Sequence, residues 1–198
     1  MSSDYLAILV NKSTPLPSDY VPSDLVPVNI PFAYIGDDQR NYLREPAARA
    51  LEEMFQAARL NGLDPIGVSG FRSYERQKNI YEQNVAVKGE AYTSLYSAKP
   101  GQSEHQTGLA IDISSPAVFS ALSTDFAETA EGKWLRDNAY KYGFILRYPS
   151  EKENITGYAY EPWHFRYVGK ELAQYIEKEV VLFRIKLTCL FKLYTMER

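Results

Sequence analysis

Residues 103–112 read SEHQTGLAID, and the alternation in the second half of this stretch decides the fold. Read as a strand, it points Leu109, Ile111 and Ile113 to one side and Ala110, Asp112 and Ser114 to the other. A carboxylate therefore stands on the face opposite a continuous apolar stripe. His105 precedes the strand in a loop, and Gly108 between them fits a tight turn that folds the loop back toward the strand.

The chain has 2 His. The other one, His164, lies far downstream in EPWHFRYVG, residues 161–169, and it too has acidic company. As a strand, this segment places Pro162, His164, Arg166 and Val168 on one face. Proline is tolerated at the first position of a strand, so Glu161 sits at the loop–strand junction and need not follow the alternation. Trp163 and Phe165 alternate with His164 and are read as the core-facing side. Arg166 shares the His164 face and is a candidate for a supporting position around it.

The surrounding sequence supplies helices and short strands in alternation. REPAARALEEMFQAARLNG carries an apolar stripe of Ala47, Ala50, Leu51, Met54, Phe55 and Ala58, with Pro46 suited to a first turn and Gly62 to a stop. PIGVSGFRS reads as a strand, and Ser73 then caps a helix over YERQKNIYEQNVAVKG. SLYSAKPGQSEHQTG reads as a loop, GKWLRDNAYKYG as a helix, FILRYP as a strand and KELAQYIEKEV as a helix. Five prolines between Pro15 and Pro31 exclude helix there and indicate an extended arm over roughly residues 10–35. This order predicts an α+β fold with a small, mainly antiparallel sheet flanked by helices.

Composition narrows the function classes. At 198 residues one domain is expected, over about residues 1–180. Net charge −3 and the lack of a Lys/Arg run argue against a nucleic-acid partner. The single Cys excludes an internal disulfide and a Cys-based metal site. No run approaches the roughly 20 apolar residues of a membrane span. MSSDYLAILVNKS shows no basic region followed by a long apolar one, so no secretory signal is read there; a cell-envelope, extracytoplasmic protein is expected if an export segment is missing from this sequence, and a cytoplasmic one otherwise.

Two imidazoles and a carboxylate from separate segments match a three-ligand zinc site that leaves its fourth position to water. A further carboxylate, Glu161, would take that water's proton. Taken alone, a His beside an Asp is as well explained by a hydrogen-bonding pair; what favours a metal is that both histidines fall in strand-edge segments, each near an acid.

SEHQTGLAID fits S-x-H-x-x-G-x-A-x-D and EPWHFRYVG fits E-x-W-H-x-x-Y. With GFRSYERQ upstream, the chain resembles the zinc D-alanyl-D-alanine carboxypeptidase family, which includes VanY-type D,D-carboxypeptidases and the L,D-carboxypeptidases of peptidoglycan. The similarity runs from about Leu9 to about Lys170. It implies a hedgehog/D-Ala-D-Ala-peptidase-like fold and zinc held by His105, Asp112 and His164. It also implies Glu161 as general base and Arg72 as a catalytic and substrate-binding residue, with Gln77 and Ser103 nearby. A guanidinium grips a terminal carboxylate bidentately, and Arg72 directly precedes the helix cap Ser73, an anion-attracting place. The same guanidinium suits an oxyanion.

The resemblance implies removal of a C-terminal D-alanine from peptidoglycan stem peptides by a monomer. A phage-lysin-like endopeptidase and a non-catalytic, zinc-containing hedgehog-like binding domain are the alternatives. Arg72 speaks against the first and Glu161 against the second. The tail over residues 181–198 is apolar and basic and does not resemble the family; core packing, a docking strand or a membrane-surface element each suit it.

Overall fold

The computed structural model describes residues 6–178, so the tail expected over 181–198 lies outside the described residues. Six strands and six helices follow one another: β1 (Leu25–Pro27), β2 (Tyr42–Arg44), α1 (Glu45–Leu60), β3 (Ile66–Ser69), α2 (Tyr74–Lys88) and α3 (Glu90–Tyr96) come first. β4 (Ala110–Ser114), α4 (Ala130–Asn138), β5 (Phe144–Tyr148), α5 (Glu153–Thr156), β6 (Glu161–Tyr167) and α6 (Lys170–Lys178) complete the described chain. β1 and β2 form a small antiparallel ribbon. The main sheet has the order β3-β4-β6-β5, antiparallel throughout, as the α+β reading expects.

Local chemistry explains the elements. α1 begins with a proline in its first turn and buries Ala47, Ala50, Leu51, Met54, Phe55 and Ala58, the stripe its sequence spacing predicts. The Ser73 side chain accepts from the Arg76 amide, capping α2, which ends at Gly89. The loop expected over 94–108 is shorter than its composition suggests. The chain restarts at Gly89 (φ 79°) into α3, whose Thr93 is buried, and Glu104–Thr107 closes into a 3₁₀ turn.

Leu109, Ile111 and Ile113 of the β4 segment, with Phe144 and Phe165, meet α1 in the main core, which also takes Phe126 and Leu135. Burying one such side chain contributes about 1.5–3 kcal/mol. On the opposite face of the sheet, period two places Asp112, His164, Arg166, Ile145 and Arg147. That face is covered as well. Ile145 packs with Ala7, Leu172 and Ile176, and every residue of β4 is buried.

The extended arm closes the sheet at one edge. Its Pro31 carbonyl accepts from the Gly67 amide and its Ala33 amide donates to the Gly67 carbonyl, both at 2.9 Å, so the arm runs along the β3 edge. A Cβ on Gly67 would lie 2.8 Å from the Phe32 ring, which is why that strand position is glycine. Among the described residues no helix is long and apolar enough to cross a membrane.

Candidate active site

Asp112 and His164 are direct cross-strand partners in the β4–β6 register, and Ser69 faces Asp112 from β3. His105 reaches the same point from the 3₁₀ turn before β4. Gly108 ends that turn at φ 67°, where an added Cβ would meet Leu25 Cδ2 at 2.8 Å and Arg44 Cγ at 3.0 Å. The tight turn expected at Gly108 is there.

His105 Nε2 lies 3.2 Å from Asp112 Oδ2, and His164 Nδ1 lies 3.0 Å from Asp112 Oδ1. The rings stand edge to face, 5.0 Å apart. One ligand-capable atom from each of the three residues falls within 4.8 Å of the others, and all three side chains are buried. The outer ring nitrogens are occupied: His105 Nδ1 donates to the Gly70 carbonyl at 2.7 Å, and His164 Nε2 lies 3.3 Å from Glu104 Oε2. Two imidazoles turned by outer acceptors toward one carboxylate form a donor set that suits a divalent ion such as zinc.

Charge is balanced around this point. Burial alone would raise the Asp112 pKa, but His105 and His164 outweigh it and hold the carboxyl far below its usual range. Burial lowers His105, opposed by Asp112. For His164 burial is outweighed by hydrogen bonds to Asp112 and Glu104, and its pKa rises to about 9. Glu161, with Oε2 3.8 Å from His164 Nδ1, is pushed up to about 7, mainly by burial. That places a carboxylate near neutrality beside the three converging side chains, as a proton acceptor requires.

Arg72 donates from Nη1 to Gln77 Oε1 at 2.9 Å and from Nη2 to Ser69 Oγ at 3.2 Å, and its Nη2 lies 3.6 Å from Asp112 Oδ2. Gln77 is buried; its Nε2 donates to the Ala98 carbonyl at 2.6 Å, so both ends of its amide are committed to protein partners. Ser103 lines the cavity that opens over the site, together with Arg72, Tyr148, Tyr158, Glu161 and Trp163. Ile80, Tyr96 and Leu122 add apolar surface to the same cavity. Phe165 is fully in the core, whereas Trp163, read from sequence as core-facing, packs on the core and also lines the cavity.

Four residues here escaped the sequence reading. Glu104 was overlooked because its side chain serves His164, far away in sequence, and not its neighbour His105. Arg147 pairs with Glu104 at 2.8 Å, and no local pattern in FILRYP marks it. Tyr148 packs on His164 at 4.8 Å after a register shift between Leu146 and Tyr148, and Tyr158 stacks on Tyr148 at 5.2 Å. Arg166 stands on the His164 face, as its alternation predicts, and is 1% exposed.

Residues 40–170 match the family described as VanY, D-alanyl-D-alanine carboxypeptidase. The chain is 53% identical over 169 residues to the putative carboxypeptidase YodJ of Bacillus subtilis (strain 168), covering 85% of this chain and 62% of YodJ, less than two thirds of that relative's length. Among solved structures it is similar to the LdcB LD-carboxypeptidase, with TM-score 0.87, 49% identity, and coverage of 92% of this chain and 85% of that one. It is also similar to a mutant of the D,D-pentapeptidase VanY from a VanB-type vancomycin resistance cassette in complex with Zn(II). That likeness has TM-score 0.71 and 35% identity, and covers 88% and 94% of the two chains.

Proposed function

The chain belongs to the VanY D-alanyl-D-alanine carboxypeptidase family, and from that premise we propose that it is a zinc-dependent carboxypeptidase of peptidoglycan stem peptides, removing a C-terminal D-alanine. The observation that carries this reading is the convergence of His105, Asp112 and His164 beside the perturbed carboxyl of Glu161. Residues 1–180 are read as one peptidase unit with its arm.

His105, Asp112 and His164 would hold the zinc. When bound, such an ion lowers the pKa of a coordinated water and polarises the carbonyl it meets. Glu161 takes the proton of the attacking water on its carboxylate and returns it to the leaving amine of D-alanine. Arg72, braced by Ser69 and Gln77, grips the terminal carboxylate of the peptide. Ser103 is a further substrate contact on the cavity wall, and Gln77 serves substrate by holding Arg72 in place. Tyr148 and Trp163 shield the reacting centre from bulk water.

Arg72 favours release of a terminal residue over internal cleavage, because an internal bond offers no carboxylate. The relatives' printed activities include both D,D- and L,D-cleavage, and acting on stem peptides would place the working protein, a monomer in this reading, in the cell envelope. The test is mass spectrometry of tetrapeptide and pentapeptide muropeptides after incubation with zinc-loaded protein. Loss of one alanine from either supports the reading and assigns its specificity; cleavage of C-terminally amidated peptides at the same rate, or no cleavage of any, contradicts it.

A further inference from the structure

We propose that Glu104 is a positioning residue for His164: its carboxylate, clamped between two buried arginines, accepts from Nε2 and thereby turns Nδ1 toward Asp112 and His105. This rests on the zinc reading above and extends it to the groups that hold one ligand in place.

Glu104 Oε2 lies 3.3 Å from His164 Nε2, while Oε1 lies 2.8 Å from Arg147 Nε and 3.4 Å from Arg166 Nη1. The four residues are 1–7% exposed, so bulk water cannot replace any of these partners. An ionised carboxylate only accepts, so the ring nitrogen that faces it must carry hydrogen. By the same rule Nδ1, 3.0 Å from Asp112 Oδ1, carries hydrogen in the metal-free fold; with the Nε2 hydrogen held by Glu104, Nδ1 is the nitrogen left to give up its proton and present its lone pair when an ion binds. Glu104 is not itself among the three residues whose ligand-capable atoms cluster. It stands at the outer nitrogen of the ring.

The clamp is anchored at its far end. Arg166 donates from Nε to the Tyr167 carbonyl at 3.0 Å and from Nη2 to the carbonyls of Ile8 and Leu6 at 2.8 and 3.2 Å. Support therefore runs from residues 6–8, ahead of the arm, through Arg166 and Glu104 to His164. Arg147 braces the same carboxylate from β5. The Tyr148 ring, 4.8 Å away, limits rotation of the imidazole from one side.

Glu104→Gln separates this role from filling of space. Its remaining oxygen stays with the two arginines, so its amide faces Nε2 as a donor and the ring proton moves to Nδ1, where it blocks ligation. Zinc affinity of the full chain, read by chelator competition, is expected to fall by about 10- to 100-fold. Because E104Q could fail to fold, a second measurement uses the wild-type chain. Nitrogen-resolved NMR of the zinc-loaded protein is expected to show His164 protonated on Nε2 and coordinated through Nδ1. A proton on Nδ1, or folded E104Q with unchanged zinc affinity, overturns the proposal. Neither readout involves substrate: equal zinc binding by wild type and E104Q sinks this proposal alone, whereas a wild-type chain that binds no zinc sinks the reading of the site with it.

Discussion

Asp112 on β4 and His164 on β6 face each other directly across two antiparallel strands. Side chains so paired stand about 4.5–5.5 Å apart at Cβ, and a slip of one residue would turn either of them into the core. The site therefore inherits its precision from the sheet register, which the apolar stripe of Leu109, Ile111 and Ile113 fixes from the other face. Only His105 is held by a turn, and that turn is tied down by its hydrogen bond to Gly70.

Replacing Glu161 by Gln removes the proposed proton acceptor and keeps the shape. Turnover of muropeptide should fall by about 10²–10⁴-fold. Zinc content, measured by elemental analysis, should stay at the wild-type level, because Glu161 lies outside the cluster of three. Near-normal turnover with zinc bound would remove Glu161 from the mechanism.

Arg72→Lys keeps the charge and loses the fork. Ser69 and Gln77 orient a planar guanidinium, and a lysine cannot answer both while gripping a carboxylate. Losing a charge-assisted hydrogen bond costs about 1.5–3 kcal/mol, so kcat/KM should fall by about 10- to 150-fold, chiefly through KM. Steady-state kinetics with free and amidated C-termini checks it: the amidated peptide should lose far less.

Metal binding should be coupled to protons through His164. In the metal-free fold its pKa is about 9 against an ordinary 6.5, because the Asp112 and Glu104 hydrogen bonds outweigh burial. A raised folded pKa contributes stability that is complete below about 6.5 and is lost as pH climbs through about 9. Glu161, raised to about 7 by burial, acts in the same direction between about 4.5 and 7. The metal-free protein should therefore melt at lower temperature as pH rises from 6.5 to 9. Zinc affinity should increase over that window, with about one proton released per ion near pH 7.5. Calorimetry in buffers of different ionisation heat reads that proton, and a pH-independent affinity would contradict it.

Gly108→Ala tests the turn. A side chain at φ 67° is strained, and its Cβ would press on Leu25 and Arg44. A loss of about 1–3 kcal/mol in stability is expected, accompanied by weaker zinc binding because the same turn carries His105. Chemical denaturation of the metal-free protein measures the first part; a stability equal to wild type would show that the turn relaxes freely.

Much of this was legible because it is local. Alternation in SEHQTGLAIDIS places Asp112 opposite the apolar stripe, Ser73 is a cap by its own chemistry, and the stripe of α1 follows a helical period. What stayed hidden depends on pairing between distant segments. Glu104 is adjacent to His105 in sequence but meets His164, since the 3₁₀ turn sends the two neighbouring side chains different ways. Arg147 looks like an ordinary strand residue until β5 is laid beside β6. α3 was missed because its short sequence carries no apolar period; a glycine restart and one buried threonine define it.

Zinc-edge anomalous diffraction from crystals of the zinc-loaded protein tests the central claim most directly. One peak per chain is expected, about 2.0–2.2 Å from His105 Nε2, an Asp112 carboxylate oxygen and His164 Nδ1, with one coordination position left to solvent. A peak elsewhere, or an ion bound by fewer than these three side chains, would contradict the account.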